Sequence, residues 1–114
     1  MIARTLEKTL QKMAGQFKAV ALTGPRQSGK TTLCRSLFTD LPYVSLENPD
    51  ERGRASRDPR GFLQRFPDGA VFDEVQRVPD LFSYLQEVLD QESRPGRYIL
   101  TGSQQFGVMP ESVR

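Results

Sequence analysis

Eight consecutive residues have the types and the spacing that phosphate binding requires. They match the pattern G-x-x-x-x-G-K-[ST] at every fixed position: Gly24, Pro25, Arg26, Gln27, Ser28, Gly29, Lys30 and Thr31. In such a loop the backbone N–H groups point at phosphate oxygens, and the helix that follows directs its positive end at the same anion. The lysine reaches the β- and γ-phosphates and the last hydroxyl ligates magnesium. We therefore predict a P-loop (Walker A motif), extending to Thr32, that binds a nucleoside triphosphate, and expect ATP with Mg²⁺.

Two adjacent acidic residues follow a short apolar run farther along the chain. Asp73 and Glu74 come directly after Ala70–Phe72, which has the composition of a buried strand. A carboxylate at the end of such a strand can hold magnesium, directly or through water, opposite the phosphates. A second carboxylate beside it can polarise the attacking water as a general base. We expect Asp73 in the first role and Glu74 in the second.

A third polar cluster follows the apolar run Tyr98–Thr101. A hydroxyl or amide here could position the attacking water or sense the γ-phosphate. Thr101, Ser103 and Gln104 are all candidates for this sensor role. In an open parallel sheet the carboxyl ends of neighbouring strands face one crevice, so the three polar clusters are expected to converge there.

Predicted strands and helices alternate along the chain, as a parallel sheet that brings the three polar clusters to one edge requires. Helical periodicity is seen over residues 2–14, and helices are predicted after the P-loop, from Asp58-Pro59 and from Pro79-Asp80. The predicted strands are Ala19–Thr23, Tyr43–Leu46, Ala70–Phe72 and Tyr98–Thr101. This alternation indicates an α/β fold with a parallel sheet.

Composition excludes several classes of function. The chain has 114 residues, enough for one small domain, and a net charge of +2 that gives no bulk-charge argument for nucleic acid or a membrane. Histidine is absent, which removes histidine triads and histidine metal sites, and the single cysteine, Cys34, cannot form an internal disulfide. We read Cys34 as a small buried residue. No apolar stretch reaches membrane-spanning length, and we expect a cytoplasmic location.

Three other functions compete with an ATPase. The arginines in the polar stretch Glu47–Arg57 and beyond it suggest a nucleic-acid-associated ATPase as an alternative. Acidic residues are interleaved with them, however, so a solvated charged loop is the better interpretation. A GTP-binding switch is disfavoured because this sequence contains no N-K-x-D-like segment to recognise guanine. A kinase is disfavoured because the adjacent acids argue for water activation.

Three segments, GPRQSGKTTL, AVFDEVQRVPDLFSYLQ and RYILTGSQQF, resemble a family of prokaryotic AAA-type ATPases. Its members are predicted ATP-binding proteins with an additional, poorly characterised C-terminal domain. The resemblance extends from Arg4 through Phe106. It implies a three-layer P-loop NTPase of the ASCE class, with helices on both faces of about four parallel strands in the order 1-4-3-2.

The resemblance also implies roles for single residues. Asp73 would be the Walker B acid that holds Mg²⁺, Glu74 the catalytic base, and Ser103 the sensor. The implied activity is Mg²⁺-dependent ATP hydrolysis in the full-length protein, as a motor or switch module.

Family members are several times longer than this chain. Residues 1–114 are therefore expected to be a truncated, N-terminal part of the ATPase domain, with a core over 18–106 and a tail over 107–114. The first strand would then have an exposed edge, open to a partner or to a second copy.

Overall fold

The computed structural model describes residues 4–16, 18–23, 29–91, 98–102 and 112–113. The strands are β1 Ala19–Thr23, β2 Tyr43–Ser45, β3 Ala70–Asp73, β4 Tyr98–Gly102 and β5 Ser112–Val113. The helices are α1 Arg4–Ala14, α2 Lys30–Leu37, α3 Pro49–Arg57, α4 Pro59–Gln64 and α5 Leu81–Asp90, with a 3₁₀ turn over Val75–Arg77.

The sheet confirms the predicted topology. Its order is β2-β3-β4-β1-β5, and the first four strands are parallel, so that β4 is inserted between β1 and β3. Such an insertion brings the carboxyl ends of β1, β3 and β4 side by side.

Alternating residues of the central strands build a core on each face of the sheet. Ala70, Phe72 and Leu100 pack with α3, α4 and α5 on one face. Val71 and Ile99 pack with α1 and α2 on the other. Because both faces are covered, these strands are apolar throughout, which is why their sequences show no polar alternation. The structure confirms the three-layer arrangement, and Cys34 is fully buried in the α1–α2 layer, as predicted.

The polar stretch predicted to be a charged loop is a helix instead, α3. Asn48 caps it: the side-chain oxygen accepts hydrogen bonds from the backbone N–H groups of Asp50 and Glu51, and Pro49 occupies the first helical position. The buried residue of α3 is Ala55, so no apolar stripe marked the helix in the sequence. The local signal of this helix is therefore the Asn48 cap followed by Pro49, and not hydrophobic periodicity.

Two arginines that follow α3, Arg60 and Arg65, join helices to one another. Arg65 of the α4 C-terminus donates to Glu51 of α3 at 2.9 Å, and this contact lowers the pKa of the Glu51 carboxyl. Arg60 of α4 forms a bidentate salt bridge with Glu87 of α5. These contacts fit a structural use of the stretch and add no support for nucleic-acid binding.

The predicted open edge of β1 is partly covered, which corrects the sequence-based expectation. β5 runs antiparallel to β1, with Ala19 opposite Val113 and Val20 opposite Ser112. Ser112 and Val113 thus pair with backbone groups that an edge strand would otherwise offer to another chain. The expected partner surface is smaller than predicted.

Candidate functional site

The carboxylate of Asp73 is the centre of the site that the structure describes. It lies at the end of β3 and is 7% exposed, so it depends on protein hydrogen bonds in place of water. Hydroxyl groups from three other elements supply them: Thr31 of α2, Tyr43 of β2 and Thr101 of β4. An ionised carboxylate only accepts hydrogen bonds, and three O–H donors match it.

The two carboxylate oxygens have different partners. Oδ2 accepts from the Thr31 hydroxyl at 3.1 Å and from the Tyr43 hydroxyl at 2.6 Å. Oδ1 accepts from the hydroxyl of Thr101, which is fully buried. The side chain is therefore held from both sides, and its orientation is set by the sheet order that puts β2 and β4 on either side of β3.

Tyr43 is present in its protonated, donating form. Burial raises the pKa of the Tyr43 hydroxyl well above its usual range, and the hydrogen bond to Asp73 raises it further. The phenol therefore donates to the carboxylate at neutral pH. The sequence pattern around Tyr43 predicted only a strand, because the pairing of β2 with β3 that brings the ring beside Asp73 has no local signal.

The start of α2 is where the described structure meets the predicted P-loop. Gly29 has φ 89° and ψ 6°, a left-handed conformation that glycine adopts without steric cost, and α2 begins at the next residue, Lys30. Thr31 lies on the first turn with its hydroxyl toward Asp73, and Thr32 is exposed. Gly24, Pro25, Arg26, Gln27 and Ser28 lie outside the described residues, as does the side chain of Lys30.

Glu74, the predicted base, has an unusual backbone. Its φ of 59° and ψ of 47° place it in the left-handed region, which costs a non-glycine residue on the order of 1–3 kcal/mol. The residue is nonetheless buried, and Gln76 donates from its amide to Oε1 at 2.7 Å. A strained conformation kept at the end of the Asp73 strand is consistent with a functional requirement on where this carboxylate lies.

The residues at the site suit a magnesium ion. Thr31 Oγ1 and Asp73 Oδ2 are 3.1 Å apart, close to the roughly 2.9 Å that separates adjacent oxygen ligands around octahedral Mg²⁺ at about 2.05 Å. Within the described ranges no group of three or more acidic or cysteine side chains is placed to hold a metal. Mg²⁺–nucleotide sites typically have one or two protein oxygens as ligands, and phosphate and water oxygens complete the coordination shell.

Of the three sensor candidates, the structure describes Thr101, whose hydroxyl donates a hydrogen bond to Asp73. Ser103 and Gln104 lie outside the described residues.

In the part of the chain that the structure covers, no helix combines the length and the apolar content needed to cross a bilayer.

Comparison with known proteins gives two relatives and a family. Two uncharacterized proteins, one from Mycobacterium bovis and one from Mycobacterium tuberculosis, are each 38% identical to this chain over 96 residues. The match covers 82% of this chain and 22% of each relative, so the chain spans about a fifth of the length of the curated relatives it matches. The AAA domain family matches residues 16–113. This match spans the sheet, the start of α2 and the Asp73 site, and the chain therefore belongs to the AAA domain family, a family of ATPase-type nucleotide-binding domains.

Proposed function

We propose that this domain binds ATP with Mg²⁺ and hydrolyses it as part of the full-length protein. The observation that carries the proposal is the contact between the first turn of α2 and the end of β3, where Thr31 and Asp73 present two oxygens at the spacing of neighbouring magnesium ligands. The P-loop sequence that runs into α2 supplies the phosphate-binding half of the same site.

Each part of the site has a role in this proposal. Residues 24–29 bind the phosphates through backbone N–H groups, and Lys30 pairs with the β- and γ-phosphates. Thr31 and Asp73 hold the magnesium ion, which neutralises charge on the phosphate oxygens when bound. Ser103 is proposed as the sensor of the γ-phosphate.

Glu74 is the proposed general base. Its carboxylate would accept a proton from the attacking water while the water oxygen bonds to the γ-phosphorus and the bond to the bridging oxygen of ADP breaks. ADP and inorganic phosphate are the products. Asp73 ends β3, and Glu74 follows it with a left-handed backbone. In this proposal Asp73 would face the metal and Glu74 the attacking water.

A direct binding measurement tests the nucleotide assignment. Fluorescent ATP and GTP analogues are titrated with Mg²⁺ against the unmodified chain, Lys30→Ala and Lys12→Ala. Lys12 is an exposed residue of α1, so its variant makes the same charge change away from the P-loop. We expect tighter binding of the ATP analogue, loss of binding in Lys30→Ala and unchanged binding in Lys12→Ala. Equal losses in both variants, or binding that persists in Lys30→Ala, would contradict the P-loop assignment.

A further inference from the structure

Tyr43 makes the shorter of the two hydrogen bonds to Asp73 Oδ2, at 2.6 Å against 3.1 Å for Thr31. Both donors therefore meet on the oxygen that lies beside the proposed metal position. The phenol is not part of the P-loop, the acidic pair or the third polar cluster. Its contact with Asp73 suggests a role in the site beyond filling space in β2.

The ring of Tyr43 is itself held in place by α2. The guanidinium carbon of Arg35 lies 4.6 Å from the ring centroid, a cation–π distance. Thr31 and Arg35 are four residues apart on α2 and so share one face of the helix. One face of α2 thus contacts both members of the Tyr43–Asp73 pair, Thr31 at the carboxylate and Arg35 at the ring.

This arrangement limits how the Asp73 carboxylate can turn. Thr101 holds Oδ1, and Tyr43 with Thr31 holds Oδ2. Thr31 would itself be occupied by the metal, which leaves Tyr43 and Thr101 as the groups that keep the carboxylate oriented. Hydrogen-bond partners of this kind typically change metal affinity by about 10- to 100-fold when they are removed.

We propose that Tyr43 is a positioning residue of the magnesium site: its hydroxyl orients the Asp73 carboxylate toward Thr31 and thereby strengthens binding of the Mg²⁺–nucleotide complex. The inference rests on the proposed function, because it concerns the same site. It assigns a role to the β2 strand, which sequence patterns did not connect to nucleotide binding.

The test measures the Mg²⁺ concentration that gives half-maximal binding of a fluorescent ATP analogue. It compares the unmodified chain with Tyr43→Phe and with Tyr84→Phe, a matched loss of a phenol hydroxyl from α5, where the ring contacts Arg60. We expect the half-maximal Mg²⁺ concentration to rise about tenfold or more in Tyr43→Phe and to stay unchanged in Tyr84→Phe. Thermal unfolding in EDTA reports any general loss of structure.

A double-mutant cycle separates positioning from a structural role. If Tyr43 acts through Asp73, then Tyr43→Phe should have no further effect on Mg²⁺ dependence in an Asp73→Asn background. Additive effects, an unchanged or lower half-maximal Mg²⁺ concentration in Tyr43→Phe, or a loss of nucleotide binding that is equal with and without Mg²⁺ would each overturn the proposal. If the unmodified chain itself shows no Mg²⁺-dependent nucleotide binding, the proposed function fails first, and that outcome is visible without any variant.

Discussion

At the scale of single residues, Asp73 and Glu74 are both buried but differ in backbone conformation and in hydrogen-bond partners. Asp73 is held by hydroxyl groups from three elements, whereas Glu74 has a left-handed backbone and receives a hydrogen bond from Gln76, two residues further along. Neighbouring carboxylates that differ in this way can take different roles in one reaction. The proposed division is metal binding by Asp73 and proton acceptance by Glu74.

Replacing Glu74 tests that division. Glu74→Gln keeps the shape of the side chain and removes its basicity, so ATP should still bind with Mg²⁺ while hydrolysis falls by about 10²- to 10⁴-fold. Binding is followed by fluorescence and turnover by phosphate release in the full-length protein. Glu87→Gln, in the ion pair with Arg60, is the matched control and should leave both unchanged. Undiminished phosphate release by Glu74→Gln would remove Glu74 as the base.

At the scale of elements, short capped helices connect β2 to β3. Asp58 caps α4 by accepting from the backbone N–H of Gly61 at 3.1 Å. The cap is tight: a Cβ added at Gly61 would lie 2.2 Å from Asp58 Oδ2, so the glycine makes room for the carboxylate. The helix predicted to start at Asp58-Pro59 is confirmed, and Phe62 and Leu63 form its buried side.

Two helix starts in the same chain give a controlled test of capping. Asp58→Ala should lower the free energy of unfolding by about 1 kcal/mol because the Gly61 N–H loses its partner. Asp80 precedes α5 in the corresponding position but makes no side-chain cap hydrogen bond, so Asp80→Ala should change it by less than about 0.5 kcal/mol. Urea denaturation of the two variants measures the difference. Equal losses in both would show that the cap itself contributes little.

At the scale of the whole molecule, the sheet is stabilised by a different core on each face. On the face covered by α3, α4 and α5, the ring of Phe72 lies within 6 Å of three other aromatic rings, those of Phe62, Phe66 and Tyr98. Phe72 immediately precedes Asp73, so the same strand anchors the core and presents the carboxylate. The site therefore depends on the packing of this layer.

Truncating that ring should destabilise the entire domain. Phe72→Ala is expected to lower the free energy of unfolding by about 3–5 kcal/mol, a large part of the roughly 5–15 kcal/mol available to a typical domain. Ser83→Ala, at an exposed position of α5, should change it by less than about 0.5 kcal/mol. Denaturant unfolding followed by circular dichroism gives both values. A loss below about 1 kcal/mol for Phe72→Ala would mean that the aromatic cluster is not central to stability.

Much of the fold and half of the site could be predicted from local sequence. The P-loop spacing, the acidic pair after an apolar run and the alternation of strands and helices are short-range patterns, and each reflects chemistry or burial within a few residues. Helix α3 escaped prediction because its single buried residue, Ala55, leaves no periodic signal. The pairing of β5 with β1 escaped because two residues carry no recognisable strand pattern.

Which functional groups are present follows from the sequence alone: the G-x-x-x-x-G-K-[ST] spacing of a P-loop, a hydroxyl and two carboxylates. Only the tertiary structure decided which groups meet. Tyr43 and Thr101 are 30 and 28 residues from Asp73 in the chain, yet both donate to its carboxylate because β2 and β4 flank β3. Strand order is set by the packing of the whole sheet against its two helical layers; the sequence indicated it only through the family resemblance, and no local pattern connected Tyr43 with Asp73.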